Sequence, residues 1–301
     1  MSKQKLAQIV NIVKQKTKLE QWKNTDSVIK WFNNINNKKS SCFIQFDICD
    51  FYPSITLELL TKALDFASNY VHISEEHRGI ILHARKTFLF SDNSPWNKKV
   101  DSNFDVGMGS FDGAECCEIV GLYILSCLKH LKVNIGLYRD DALGITCMTA
   151  RQADLLKKEI CRIFKEMKLS ITIDVNMKVA NFLDITLDLN SGIYKPYIKP
   201  NDQPIYINKK SNHPPSIIKN IPAAVNRRLS NISANEDVFK GAIPPYQEAL
   251  NKAGYEHQLS YQPKTNLGNS RRNRPRNITW FNPPFSRNVA TNVGAKFFEN
   301  N

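Results

Sequence analysis

The sequence predicts an α+β fold, and three of its features carry that prediction. Residues 42–48 (CFIQFDI) and 182–189 (FLDITLDL) alternate apolar and polar side chains, the period of two that a half-covered strand requires. Residues 56–70, 74–88 and 151–168 repeat apolar side chains every three or four positions, the period of a helix covered along one side. Residues 135–147 (IGLYRDDALGITC) set two short apolar runs around a carboxylate pair, as in a hairpin with Asp140 and Asp141 at or near its tip.

In chain order, Leu6, Ile9, Val10 and Val13 recur at helical spacing and predict an amphipathic helix over residues 3–17, with a short one over 27–32. In the strand at 42–48, Ile44, Phe46 and Ile48 share one face and Gln45 and Asp47 the other, and Pro53 ends it. Thr56 and Ser74 are N-cap candidates for the next two helices, with Glu58, Glu75 and Glu76 in the first turns, where negative charge suits the helix dipole. A glycine-containing turn, GMGS at 107–110, precedes residues 113–131, which are long and apolar enough for a mostly buried helix. The run 170–175 suits an edge strand, and the strand at 182–189 would place Leu183, Ile185, Leu187 and Leu189 on one face. Beyond residue 210 the pattern turns helical and basic.

A chain of 301 residues with 42% apolar side chains can bury a core, which excludes disorder throughout. Its net charge of +13 favours a polyanionic partner, nucleic acid or an acidic membrane surface. Residues 195–301 hold sixteen basic and six acidic side chains, and twelve of the fourteen prolines lie beyond residue 194. A mixed-charge body is thus followed by a basic, proline-punctuated appendage, with a boundary near 195–210 and its densest basic run at 270–276 (SRRNRPR). The seven cysteines are odd in number and show no CxxC pair, so they read as reduced, buried thiols. The most apolar stretch, 119–128, is far short of the roughly 20 residues of a membrane span, and the chain start lacks the apolar core of a signal peptide. An intracellular, soluble protein with no membrane partner is the expectation.

Asp47 on a half-buried strand, with Asp140 and Asp141 between apolar runs, calls for compensation, because buried carboxylates lose solvation and converging ones repel. Divalent cations relieve both costs, and two Mg²⁺ ions about 3.5–4 Å apart support in-line phosphoryl transfer. Taken separately, Asp140 and Asp141 suit a solvated turn and Asp47 a lysine-paired strand end. Their combination is more specific. FDICDFYPSI resembles the first palm motif of reverse transcriptases, YRDD at 138–141 resembles their catalytic hairpin, and MGS at 108–110 resembles the motif between these. The later stretches FLDITLDLNSGIYKPYIKPNDQPIY and SNHPPSIIKNIPAAVNRRLS are similar to reverse transcriptases of Penelope-like retroelements.

The resemblance implies a right-hand polymerase palm, an antiparallel sheet packed on helices, followed by a helical thumb, with the fingers largely absent. In chain terms it implies an N-terminal helical remnant over 1–40, a palm over 41–200, a thumb-like region over 201–260 and a basic, proline-containing segment over 261–301. It implies RNA-directed DNA polymerisation with an RNA template, a DNA primer and deoxynucleoside triphosphates. Asp47, Asp140 and Asp141 would be the catalytic residues and would hold two Mg²⁺ ions, with Mn²⁺ as the alternative. Tyr52 would exclude a 2′-hydroxyl, or else be a core aromatic beside Phe51. Gly109 and Ser110 would approach the nucleotide, or simply enter and cap the next helix. Lys209, Lys210, Arg227 and Arg228 would meet template–primer phosphates without reading sequence. Lys178 reads as solvated, with a triphosphate contact as the alternative. With 46 residues before Asp47 and an end at FFENN, the chain is expected to be truncated at both ends. A non-catalytic basic nucleic-acid-binding relic and a metal-dependent nuclease are the competing readings.

Overall fold

A computed structural model describes residues 1–87, 89–96 and 104–263, so the basic run at 270–276 lies outside the described residues. The chain divides into two compact units, Met1–Ile193 and Tyr194–Asn301.

The first unit opens with helices α1 (Ser2–Thr17) and α2 (Thr25–Asn33), followed by strand β1 (Cys42–Ile48). A one-turn helix α3 (Phe51–Ser54) contains Pro53, and helices α4 (Leu57–Ser68) and α5 (Glu75–His83) follow. The Thr56 and Ser74 hydroxyls accept the N–H groups of Leu59 and His77, the cap geometry their sequence positions predict. A small hairpin, β2 (Leu89–Ser91) and β3 (Ser94–Trp96), turns through Asp92 and Asn93, both in the left-handed region. Helix α6 (Gly113–Leu128) leads to strands β4 (Asn134–Tyr138) and β5 (Asp141–Thr146), then helix α7 (Ala150–Glu166) and strands β6 (Ile171–Met177), β7 (Val179–Phe182) and β8 (Ile185–Asp188).

The main sheet is antiparallel in the order β4-β5-β1-β6, with β6 at one edge. Beyond β4 the chain segment at 20–22 adds backbone bonds, Trp22 N–H to the Leu137 carbonyl (2.8 Å) and Leu137 N–H to the Glu20 carbonyl (2.9 Å). Ile44, Phe46 and Ile48 of β1 are buried with side chains of α1, α4, α6 and α7, while Gln45 and Asp47 look away from that core. One sheet face is therefore sealed by helices; on the other, Phe43 is buried against Phe32 of α2, and Asp47 is exposed.

The stretch read as one strand at 182–189 is two. Leu183 has φ 54°, so the chain reverses after Phe182, and Phe182 pairs with Ile185 across the turn. Apolar alternation continues through the reversal, which is why the pattern concealed it. The cysteines also differ from expectation: all seven are free thiols, but only Cys42, Cys116 and Cys117 are buried, and Cys147 is exposed.

The second unit contains strand β9 (Tyr194–Pro196) and helices α8 (Pro215–Asn231) and α9 (Glu236–Lys252). Leu229, Phe239, Leu250 and Tyr255 form its core. The buried Asn226 side chain accepts the Ser260 N–H (2.8 Å) and the Ser230 hydroxyl accepts the Gln262 N–H (3.1 Å), so the segment after α9 is laced to α8. Among the described residues no helix is long and apolar enough to cross a membrane.

One close approach in the first unit fixes a glycine. A Cβ at Gly136 of β4 would drive into the indole of Trp22, which itself packs edge-on against Trp31 (5.2 Å) and Phe182 (5.4 Å). Gly136→Ala should cost about 1–3 kcal/mol by overpacking, seen as a lower urea midpoint; an unchanged midpoint would show that Trp22 is free to yield.

Candidate functional site

The sheet register brings the first and second acidic motifs together. Asp47 of β1 is the partner of Asp141 on β5 and, on its other side, of Thr172 on β6. The Ile48 N–H donates to the Asp140 carbonyl (3.0 Å), which makes Asp47 and Asp141 a non-hydrogen-bonded pair. In such a pair the Cα atoms lie about 4.5 Å apart and both side chains leave the same face. Asp140 sits in the two-residue turn between β4 and β5, preceded by Arg139 at φ 56°, a conformation costly for a side chain other than glycine. The Arg139 guanidinium lies over the Tyr138 ring, 5.6 Å from its centre.

Electrostatics registers this proximity. Burial and then the Asp140 carboxylate raise the Asp47 carboxyl above its ordinary value. Asp47 also lines a cleft of about 310 Å³ with Gln45, Thr172, Asp174 and Asn181. The oxygen donors of these aspartates are of the hard type that suits Mg²⁺ or Mn²⁺. Among the described residues, no group of three or more His, Cys, Asp or Glu side chains is arranged to hold a metal ion.

Tyr52 lies in α3 at 9% exposure, within the core cluster and edge-on to Phe51 (6.5 Å between ring centres). Burial, with Cys117 and Asp140 nearby, pushes its phenol up to about 12, partly offset by Arg139. The structure thus gathers Tyr52 and its unforeseen neighbour Cys117 with the acidic hairpin. Cys117 is one of many apolar positions on α6 in the sequence, so no local signal distinguishes it.

Gly109 is exposed, at φ 91°, and the Ser110 N–H donates to the Gly107 carbonyl (3.0 Å), a type II turn with glycine at its left-handed position. Ser110 does not cap α6 with its hydroxyl. The cap residue is Asp112, whose carboxylate is engaged by Arg85 and Ser2 instead of by the helix. Lys178 is also differently used: its ammonium donates to the carbonyls of Lys39 (2.8 Å) and Ser41 (2.7 Å). In the second unit Lys209, Lys210, Arg227 and Arg228 are all exposed, the two arginines on α8 opposite its buried Asn226, Leu229 and Ser230.

No family model and no curated sequence matches the chain. Its fold does have solved relatives. Apo telomerase from Candida tropicalis is similar at 10% identity and TM-score 0.53, over 84% of this chain and 48% of that one. Telomerase from Candida albicans in complex with a TWJ fragment of telomeric RNA matches at 11% identity and TM-score 0.52, over 84% and 45%. A C-terminally truncated apo telomerase from Candida tropicalis matches at 13% identity and TM-score 0.52, over 65% and 45%. At these identities the likeness is one of fold, an open antiparallel sheet packed against helices as in palm-domain polymerases. The chain spans less than half the length of each.

The raised Asp47 carboxyl has a defined consequence. A carboxyl with folded pKa above its unfolded value binds protons more tightly when folded, so its contribution to stability falls as pH rises through that interval. Asp47→Asn should therefore stabilise the metal-free chain at neutral pH by less than about 1 kcal/mol, the scale of solvent-screened charge interactions. The gain should shrink as pH falls through the carboxylate range. Chemical denaturation in EDTA measures it, and destabilisation at neutral pH would contradict the assigned repulsion.

Proposed function

We propose that this chain is a nucleic-acid-binding unit built on a right-hand polymerase fold, gripping duplex phosphates through Lys209, Lys210, Arg227 and Arg228. The observation that carries this reading is the exposure of all four side chains on a chain of net charge +13. Cations so placed release counterions from a nucleic acid without reading its sequence. Asp47, Asp140 and Asp141 do not count toward that grip, because carboxylates repel phosphate unless a cation intervenes.

A second reading is favoured by a specific observation, the facing of Asp47 and Asp141 with Asp140 in the adjoining turn. Under it the chain is the RNA-directed DNA polymerase region of a Penelope-like retroelement, with a palm over 41–200 and a thumb over 201–260. Asp47, Asp140 and Asp141 would hold two Mg²⁺ or Mn²⁺ ions, which supply activation of the primer 3′-hydroxyl and neutralise charge on the leaving oxygen. Tyr52 would limit space at the sugar 2′ position, and Gly109 and Ser110 would let backbone approach the deoxynucleoside triphosphate.

Fluorescence anisotropy with an RNA–DNA duplex tests the binding role. Affinity should fall steeply with salt, and the combined Arg227→Ala and Arg228→Ala variant should reduce the logarithmic salt slope by about 0.7–0.9 for each phosphate no longer neutralised. Salt-independent binding, or none at low salt, would remove the proposal.

Primer extension on an RNA template separates the two readings. Binding without incorporation supports the first; incorporation by the wild type that is lost in Asp140→Asn establishes the second. Nicking of the duplex that depends on Asp140 would instead select a nuclease.

A further inference from the structure

A single residue, Lys178, joins β6 to β7 at the corner where the chain leaves the main sheet. The corner is prepared within the sheet. Asn176 has φ 60°, and the register of β6 against β1 shifts between Phe43 and Gln45, an irregularity of the kind that bends a strand. Two sets of bonds then fasten the chain at and beyond the corner to the segment around β1. The Lys178 ammonium donates to the carbonyls of Lys39 (2.8 Å) and Ser41 (2.7 Å), just ahead of β1, while the Lys178 carbonyl accepts the Leu189 N–H (2.9 Å) just past β8. Farther along, the Gln45 side chain donates to the Asn181 carbonyl (3.0 Å), and the Asn181 side-chain oxygen accepts the Thr186 hydroxyl (2.7 Å) across the β7–β8 hairpin.

What these bonds hold in place is a wall of the acidic cleft. Met177 and Val179, on either side of Lys178, line the same cleft of about 310 Å³ as Asp47, and so do Ala180 and Asn181 of β7. A lysine has three donors, and here two of them are spent on main-chain oxygens. Hydrogen bonds from a charged donor are the stronger kind. Contact with a triphosphate, the alternative the sequence leaves open for Lys178, competes with both. Freed from its two carbonyls, the corner could shift β7 relative to Asp47. An error of about 1 Å in the geometry of reacting groups can cost about a hundredfold in rate.

We propose that Lys178 is a positioning residue, a strap that holds the β6–β7 corner against the entry to β1 and so sets the cleft beside Asp47. The inference rests on the polymerase reading above and deepens it: Lys178 shapes the site through the backbone, and neither gives up a proton nor binds the triphosphate. Substitutions separate these roles. Methionine keeps the length of the stem and drops the donors. Arginine keeps donors and charge but holds its proton at every working pH, so it rescues a strap and does not rescue a proton donor. Loss of a triphosphate contact raises KM, whereas a misshapen site lowers kcat.

The test uses the full chain with K178M and K178R. Thermal denaturation first identifies folded variants; hydrogen exchange over residues 178–189 and primer extension at varied deoxynucleoside triphosphate concentration follow. In folded K178M the β7 and β8 amides should exchange about tenfold faster. Its kcat should fall about tenfold, with KM within about twofold of wild type and the pH profile unchanged in shape, and K178R should recover most of the loss. Wild-type exchange in K178M would overturn the proposal, as would a loosened corner at full kcat, or a raised KM at full kcat. Activity lost in K178R with exchange as in wild type would overturn it too, and would mark a proton donor. If K178M does not fold, K178R decides: kcat and exchange that are both kept or both changed support the proposal, and either one changed alone overturns it. A wild-type chain that extends no primer sinks the polymerase reading, and the exchange comparison still decides whether Lys178 holds the corner.

Discussion

The register of β1 against β5 is the constraint on which the rest of the first unit depends. β1 is paired on both sides, so its alternation has only one acceptable phase: Ile44, Phe46 and Ile48 must enter the helical core, and Gln45 and Asp47 must leave it. A slip of one residue would bury Asp47 and expose three large apolar side chains. Once that phase is set, the two-residue turn after Tyr138 leaves Asp141 opposite Asp47 and Asp140 beside them. Acidic residues from positions ninety-odd residues apart in sequence thus meet because hydrophobic burial aligns the strands.

The same arrangement stores electrostatic cost. Like charges directly across a strand pair are unfavourable, and the shift at Asp47 has burial as its larger cause and Asp140 as the next. Arg139 lies over Tyr138, belongs to a strained turn and partly offsets the field at Tyr52.

Much of this was legible in the sequence because it depends on local period and local caps. The β1 alternation, the Thr56 and Ser74 caps and the hairpin around Asp140 and Asp141 each appear within a few residues of chain. What was not legible depends on distance or on backbone sign. The turn at Leu183 interrupts an apolar alternation without a glycine or proline to mark it. Arg85 and Asp112 each look like a charge at the end of an apolar helix, and their pairing across 27 residues appears only in the fold. Lys178 looks solvated until its two carbonyl partners, in a chain segment far upstream, are placed beside it.

The telomerase structures share the architecture and leave the chemistry to this chain's own side chains. Under the polymerase reading, the gathering of Asp47, Asp140 and Asp141 by strand register would make a divalent-cation site, and paramagnetic broadening of backbone NMR signals by substoichiometric Mn²⁺ tests this directly. Broadening should centre on residues 47, 140 and 141; broadening centred elsewhere, or scattered over the surface, would contradict that gathering.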